Sequence, residues 1–184
     1  MTEYRKRPFH IGQQNIKSAI AATVTALLYL LVGRNPTFAC IGAIFGTGSS
    51  MDGSKLHGGN RFLGTIFGGL LGMGLFRLYL FIYPDGRPTA LLLLFLFVGV
   101  ILLILVSRFF WVGGVQPGGV VLCILLYNTP VDTFVSYAVN RIIDTGIGVL
   151  IALFISWLLP RERMYKILEF LRLRKRPDPA DPDC

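Results

Sequence analysis

Six apolar segments, each bounded by turn-forming residues, divide the chain. The segments comprise approximately residues 16–32, 36–50, 62–82, 89–106, 115–128 and 135–159. A straight helix needs about 20 apolar residues to cross the hydrocarbon of a bilayer. Clusters of glycine, proline and polar residues separate the segments: GRNP at Gly33, SMDGSKLHGGN at Ser50, YPDGRP at Tyr83, SRFFWVGG at Ser107 and YNTPVD at Tyr127. The pattern predicts an all-α integral membrane protein with six transmembrane helices.

Composition agrees with this prediction. Hydrophobic residues make up 53% of the 184 residues and charged residues only 15%, which is more apolar surface than one soluble core could bury. The formal net charge of +8 could suggest a nucleic-acid partner. However, the basic residues gather at the chain ends and between the apolar segments, which is typical of membrane topology rather than of nucleic-acid binding.

The distribution of lysine and arginine predicts the orientation. With both termini in the cytoplasm, fourteen of the 18 basic residues lie on the inner side, and only Arg34, Arg77, Arg87 and Arg141 lie outside. Residues 1–15 then form a cytoplasmic segment, and residues 16–160 form the membrane domain. Residues 161–184 form a short basic amphipathic tail helix with a disordered end.

An internal repeat relates the two halves of the membrane domain. NRFLGTIFG at Asn60 and NRIIDTGIG at Asn140 share Asn, Arg, Thr and Gly at equal spacing. Because each half, about 16–82 and 89–159, holds three spans, the second copy would enter the membrane upside down. Inverted repeats of this kind are typical of secondary transporters. The alternative is a chance similarity between glycine-rich apolar segments.

The second and fifth spans suggest where a substrate would bind. Both are short, both begin near a proline (Pro36 and Pro117), and both contain small residues that we expect to break the helix. Interrupted helices at matching positions of two halves expose backbone groups that a ligand can satisfy. The alternative is two short, continuous helices.

Charged residues within this frame fit an anion path. Lys17 and Arg61 fall on the cytoplasmic side, where topology alone could explain them. Arg141 falls on the outer side, where topology does not favour a cation. Asp144 is either a structural partner of Arg141, three residues away on the same helix face, or a carboxylate that couples transport to protons.

Catalysis and metal binding find no support in the sequence. Cys40, Cys123 and Cys184 are odd in number and lack metal-ligand spacing, and GTGSS at Gly46 lacks the lysine of a phosphate-binding loop. We therefore expect no enzyme activity, no metal and no cofactor.

Three blocks of the sequence resemble a known family. HIGQQNIKSAIA near the N-terminus, GSSMDGSKLHGGNRFLGTIFGG, and the closing NRIIDTGIGVLIALFISWLLP are similar, in order and spacing, to bacterial aromatic acid exporter and fusaric acid resistance-like membrane proteins. The resemblance covers about Phe9 to Arg163. It departs from the family pattern at Ser18, where threonine is typical, and at Gly48 and Ser50, where Gln-x-Thr is frequent.

The resemblance implies efflux of aromatic carboxylates or similar organic anions across the inner membrane of a bacterial cell. It also implies a membrane unit built from two such six-span domains, and many relatives carry a cytosolic helical domain after the last span. A lone six-span domain therefore implies a homodimer. The alternative is a non-transporting membrane scaffold or partner subunit. The candidate substrate-binding residues are Lys17, Arg61, Arg141, Ser50, Thr65, Thr145, Pro36 and Pro117, with Asp144 for proton coupling.

Overall fold

The computed structural model describes residues 12–87, 89–110, 113–160 and 163. The described part of the chain is helical, without strands. The predicted tail helix and its disordered end lie outside the described residues, apart from Arg163. The helices are α1 (Gln13–Val32), α2 (Thr37–Gly46), α3 (Met51–Ile82), α4 (Ala90–Phe109), α5 (Val115–Tyr127) and α6 (Phe134–Leu158).

Four of these helices, α1, α3, α4 and α6, are long and apolar enough to cross a membrane, so the chain is a multi-pass membrane protein. The other two are short: α2 has 10 residues and α5 has 13. At ~1.5 Å per residue they extend about 15 and 20 Å, against a hydrocarbon thickness of about 30 Å. Six full crossings therefore stay a prediction.

The predicted turn at Ser50 is wrong, because α3 begins at Met51 and not near Phe62. The Ser50 side chain accepts a hydrogen bond from the Gly53 amide and caps the helix. Further along this first part of α3, Ser54 and Gly58 are buried. Ser54 bonds to Ser156 of α6 at 2.8 Å, so contacts between helices stabilise a segment whose glycine content predicts a turn.

No break lies inside α2 or α5, each of which is one continuous helix, but the predicted second span, 36–50, leaves the helix after Gly46. Proline does lie at the start of each, as the N-cap of α2 and at the third position of α5. A threonine follows each helix and donates to one of its last carbonyls, Thr47 to Ala43 and Thr129 to Ile124. The short helices thus end by satisfying their own backbone.

The short helix of each half of the chain packs mainly against a long helix of the other half. The most extensive contact of α2 is with α6, and the most extensive contact of α5 is with α3. Each contact is made through small residues: Gly148 lies against the Ala39 carbonyl, and Gly68 lies against the Gly118 carbonyl. Backbones approach this closely only where side chains are small.

Two ends of the bundle can be distinguished. At one end, here called the Lys17 end, Gln14 donates to the Thr47 carbonyl and Ser54 bonds to Ser156. The first of these hydrogen bonds joins the first turn of α1 to the end of α2, and the second joins the start of α3 to the end of α6. At the other, the Arg34 end, the connection between α1 and α2 lies against α6. α4 buries only a narrow stripe of Leu92, Gly99, Leu103 and Ser107, which agrees with a helix that faces lipid.

Candidate anion site on helix α2

Arg61 and Arg141, the arginines of the sequence repeat, both lie against aromatic rings of α2. The Arg141 guanidinium carbon is 3.2 Å from the ring centroid of Phe38 and 4.4 Å from that of Tyr137. The Arg61 guanidinium carbon is 4.8 Å from the ring centroid of Phe45. Seven residues separate the two phenylalanines, which places their rings on one face of α2, about 10 Å apart along the axis.

Each of the two arginines also has one hydrogen-bond donor that is not satisfied. Among the described residues, Nε of Arg61 and Nε of Arg141 are buried and have no hydrogen-bond partner. The ion pairs in this part of the chain are Arg34 with Asp144 and Arg87 with Asp85, so neither repeat arginine has a carboxylate partner there. A ring face attracts the cation but does not accept its in-plane N–H bonds. Each arginine can therefore still bind the carboxylate of an anion.

Thr65 and Thr145 lie where α3 and α6 cross. Phe62 of α3 lies against Gly146 of α6, and Ile142 of α6 lies against Gly69 of α3, so the helices are antiparallel and the two threonines are at one level. Both threonines are buried, and the Thr65 hydroxyl donates to the Arg61 carbonyl. The buried Thr65 hydroxyl is therefore satisfied within its own helix.

Asp144 makes its ion pair with Arg34 and not with Arg141, which is the partner that spacing along the helix suggested. One Asp144 oxygen, Oδ1, accepts a hydrogen bond from the Tyr29 hydroxyl at 2.9 Å and from Nη2 of Arg34 at 3.0 Å. The same Arg34 nitrogen donates to Asn140 at 3.2 Å. Arg34 thus spans the turn of α6 that carries Arg141, and joins the first half of the chain to the second.

Lys17 is buried, with 1% of its surface exposed, and positive-inside topology alone does not explain that position. It belongs to the row of α1 that faces the protein, together with Gln13, Thr25 and Tyr29, whereas leucines such as Leu27 and Leu31 are exposed. Such a polar inward face with an apolar outward face is suited to a bilayer.

The other candidates take structural positions. Ser50 caps α3. Pro36 precedes the first turn of α2, and Pro117 is buried in the first turn of α5 beside Gly64. Of the eight candidates, the structure brings Arg61 and Arg141 to one face of α2.

A groove of about 580 Å³ lies between α1 and α2 near the Lys17 end. Phe45 forms part of its wall, together with the polar residues Gln14, Asn15, Ser18, Thr47 and His57. Phe45 is 61% exposed, so the side of this ring that does not face Arg61 is accessible from the groove. The size and the mixed lining suit a small amphiphilic molecule.

Sequence reasoning did not find Phe38, Phe45, Tyr29 or Arg34. The spacing of seven between Phe38 and Phe45 was a usable signal, because it predicts one helix face. No spacing connects Arg34 to Asp144. Among the described residues, no group of three histidine, cysteine or acidic side chains could hold a metal ion.

Comparison with known proteins supports the resemblance seen in the sequence. Residues 9–159 match the sequence profile of a family that is described as aromatic acid exporter family member 1. No curated protein and no solved structure matches the chain. The match spans all six helices and both arginines of the α2 face. This multi-pass membrane protein belongs to the aromatic acid exporter family.

Proposed function

We propose that the protein exports small aromatic carboxylate anions through the α2 face. The observation that carries this proposal is the pair of arginines that lie on phenylalanine rings without a carboxylate partner among the described residues. An aromatic acid offers the two groups that such a site can bind, a ring for the phenylalanine and a carboxylate for the guanidinium.

Two such arrangements, one toward each end of the bundle, support a stepwise path. Arg61 and Phe45 lie nearer the Lys17 end, whereas Arg141 and Phe38 lie nearer the Arg34 end. Lys17 lies on the inward polar row of α1, in which the Thr25 hydroxyl donates to the Ala21 carbonyl. An anion would move about 10 Å from one arginine to the other. Ser50, Thr65, Thr145, Pro36 and Pro117 would shape this path through the backbone.

The inverted repeat is part of this proposal. The packing of each short helix against the other half, the matching glycine contacts, and the threonine that ends each short helix support two copies of opposite orientation. In secondary transporters, a substrate site near the midplane lies between such copies. The pseudo-twofold axis would pass near Thr65 and Thr145.

We further propose a homodimer in which a second copy covers the exposed part of the α2 face. Phe45 is largely exposed, and a charged path open to lipid is unfavourable. The mass of the solubilised assembly tests this arrangement.

Both termini would be cytoplasmic, which places the Arg34 end outside the cell. A cysteine at position 140, introduced by Asn140→Cys, is then expected to react with an impermeant maleimide added to intact cells, because Asn140 is exposed at that end. Cys40, Cys123 and Cys184 would be replaced in this background to remove their signals. A cysteine at position 140 that reacts only after lysis would overturn the orientation.

Flux measurements test the proposed function. Purified protein in liposomes is expected to move radiolabelled 4-hydroxybenzoate with saturable kinetics, and a neutral aromatic of similar size, benzamide, is expected not to compete. An absence of flux at every concentration would reject the exporter proposal and favour a non-transporting membrane scaffold.

Asp144 is proposed to couple this flux to protons. Among the described residues, the charged and titratable groups that face it are Arg34, Tyr29 and, on its own helix, Arg141. If Asp144 carries the coupling proton, Asp144→Asn should make the flux insensitive to an imposed pH gradient, because an amide cannot exchange that proton. A gradient response of wild-type size in this variant would remove Asp144 from the coupling step.

A further inference from the structure

We infer that Asp144 is a shared counterion, held in turn by Arg34 and Arg141, and that its transfer to Arg141 releases the bound anion. This inference rests on the proposed function, since it assigns a release step to the same site. In it, Arg34 and Tyr29 are positioning residues that act through Asp144.

The bond between Arg34 and Asp144 is placed so that it can open. The Asp144 side chain is buried at 7% exposure, whereas the Arg34 side chain is 44% exposed and belongs to the short connection between α1 and α2. Only Nη2 of Arg34 contacts the carboxylate, at 3.0 Å, and it divides its bonds between Asp144 and Asn140. A partly exposed cation with one shared donor can leave a buried carboxylate when a second cation takes its place.

Asp144 has a second cation within reach. Arg141 precedes it by three residues on α6, a spacing that lets two side chains meet on a helix surface. While Arg34 holds Asp144, the Arg141 guanidinium lies on Phe38 and has no carboxylate partner among the described side chains. This is the state in which Arg141 can bind an anion.

Loss of the Arg34 contact would leave Asp144 as a buried charge with only the Tyr29 hydroxyl beside it. Because an unpaired buried carboxylate is strongly unfavourable, Asp144 in its ionised form would turn to Arg141 and compete with the carboxylate of the bound anion. A movement of the connection between α1 and α2 would thereby lower the affinity of Arg141 for the anion.

Among the described residues, the opposite end of the bundle has no equivalent device. In the repeat, the position of Asp144 corresponds to Gly64, which packs against Gly114 in the connection before α5. Arg61 therefore has no acidic residue three positions later on its own helix. The shared counterion acts at the Arg34 end, which is the outer end in the proposed orientation, so it would favour release outside.

Equilibrium binding of radiolabelled 4-hydroxybenzoate to the detergent-solubilised protein tests the inference. Arg34→Gln is expected to weaken binding about tenfold, the effect of one charge-assisted contact, because Asp144 is then free to occupy Arg141. Adding Asp144→Asn to Arg34→Gln is expected to restore wild-type affinity. Arg87→Gln, which removes another exposed arginine with an ion pair in a connection, is the matched control and should bind normally.

A merely structural role for Arg34 predicts the opposite result, since removing both partners would leave binding as weak as removing one. Affinity that is not restored in the double variant overturns the inference.

A second measurement needs no substrate. Phenylglyoxal modifies free guanidinium groups, and mass spectrometry of the peptide containing Arg141 gives its rate of modification. We expect a slower rate in Arg34→Gln than in the wild type, and recovery in the double variant. If the wild type binds no 4-hydroxybenzoate, the proposed function fails while this measurement still tests the counterion; an unchanged rate in Arg34→Gln overturns the shared counterion itself.

Discussion

Arg141→Ala is expected to reduce the flux of 4-hydroxybenzoate at low substrate concentration by tenfold or more. The guanidinium has the Phe38 ring on one side and no carboxylate partner among the described residues, so its charge is available to the anion. A charge-assisted, bidentate contact contributes roughly 1.5–3 kcal/mol, which corresponds to a change of about 10- to 100-fold in affinity. Initial rates in proteoliposomes across a concentration series measure the effect.

Comparison with other variants separates the role of Arg141 from general effects of charge. Arg61→Ala should cause a loss of similar size, because Arg61 has the same unpartnered Nε and lies on the Phe45 ring. Arg77→Ala is the matched control, since Arg77 is an exposed arginine on the same helix as Arg61 and lies outside the site. Arg141→Lys should recover only part of the activity, because an ammonium cannot bind in a bidentate fashion while it stacks.

Normal flux in both alanine variants would reject the path along α2. If Arg77→Ala were as damaging as Arg141→Ala, the loss would reflect the overall charge of the protein and not a site.

Gly148→Ala is expected to prevent correct packing of α2 against α6. A Cβ atom at this position would overlap the Ala39 carbonyl and come within 2.9 Å of the Ala43 amide nitrogen, and both atoms belong to the backbone. Backbone atoms cannot move aside as a side chain does, so the helices must separate along their largest contact. Gly68→Ala should have the same effect at the equivalent contact between α3 and α5, where the Gly118 backbone is in the way.

Monodispersity on size exclusion and the unfolding temperature in detergent measure this effect. The matched control is Gly74→Ala on α3, because a Cβ there meets no other atom within 4 Å. Since alanine is a better helix former than glycine by about 1 kcal/mol, that variant should be at least as stable as the wild type. A Gly148→Ala protein that unfolds at the wild-type temperature would show that the contact between α2 and α6 is looser than the structure indicates.

Much of the architecture followed from local sequence pattern. Hydropathy located the apolar segments because burial in lipid depends on the composition of each stretch, and the observed ends of α1, α5 and α6 lie within a few residues of the predicted ones. The exception is α3, which extends eleven residues further toward the N-terminus than the apolar pattern indicated. There Ser50, Ser54 and Gly58 predict a turn by themselves, but burial against α6 stabilises a helix.

The candidate site divides in the same way. The repeat identified Arg61 and Arg141 because their flanking residues recur at equal spacing, which needs no knowledge of the fold. Their partners came from elsewhere, and the expected pair of Arg141 with Asp144 is replaced by a bond from Arg34, which lies 110 residues away in the sequence. Spacing along one helix could suggest which side chains are able to meet, but not which competitor lies closer.

The sequence by itself thus determined that this protein lies in a lipid bilayer, and it located most of the helices and the repeated arginines. These features depend on residue type and local periodicity. Only the tertiary structure decided which aromatic rings each arginine contacts and which cation holds Asp144. Those contacts join separate helices, and close packing through glycine at the helix crossings determines where each side chain lies.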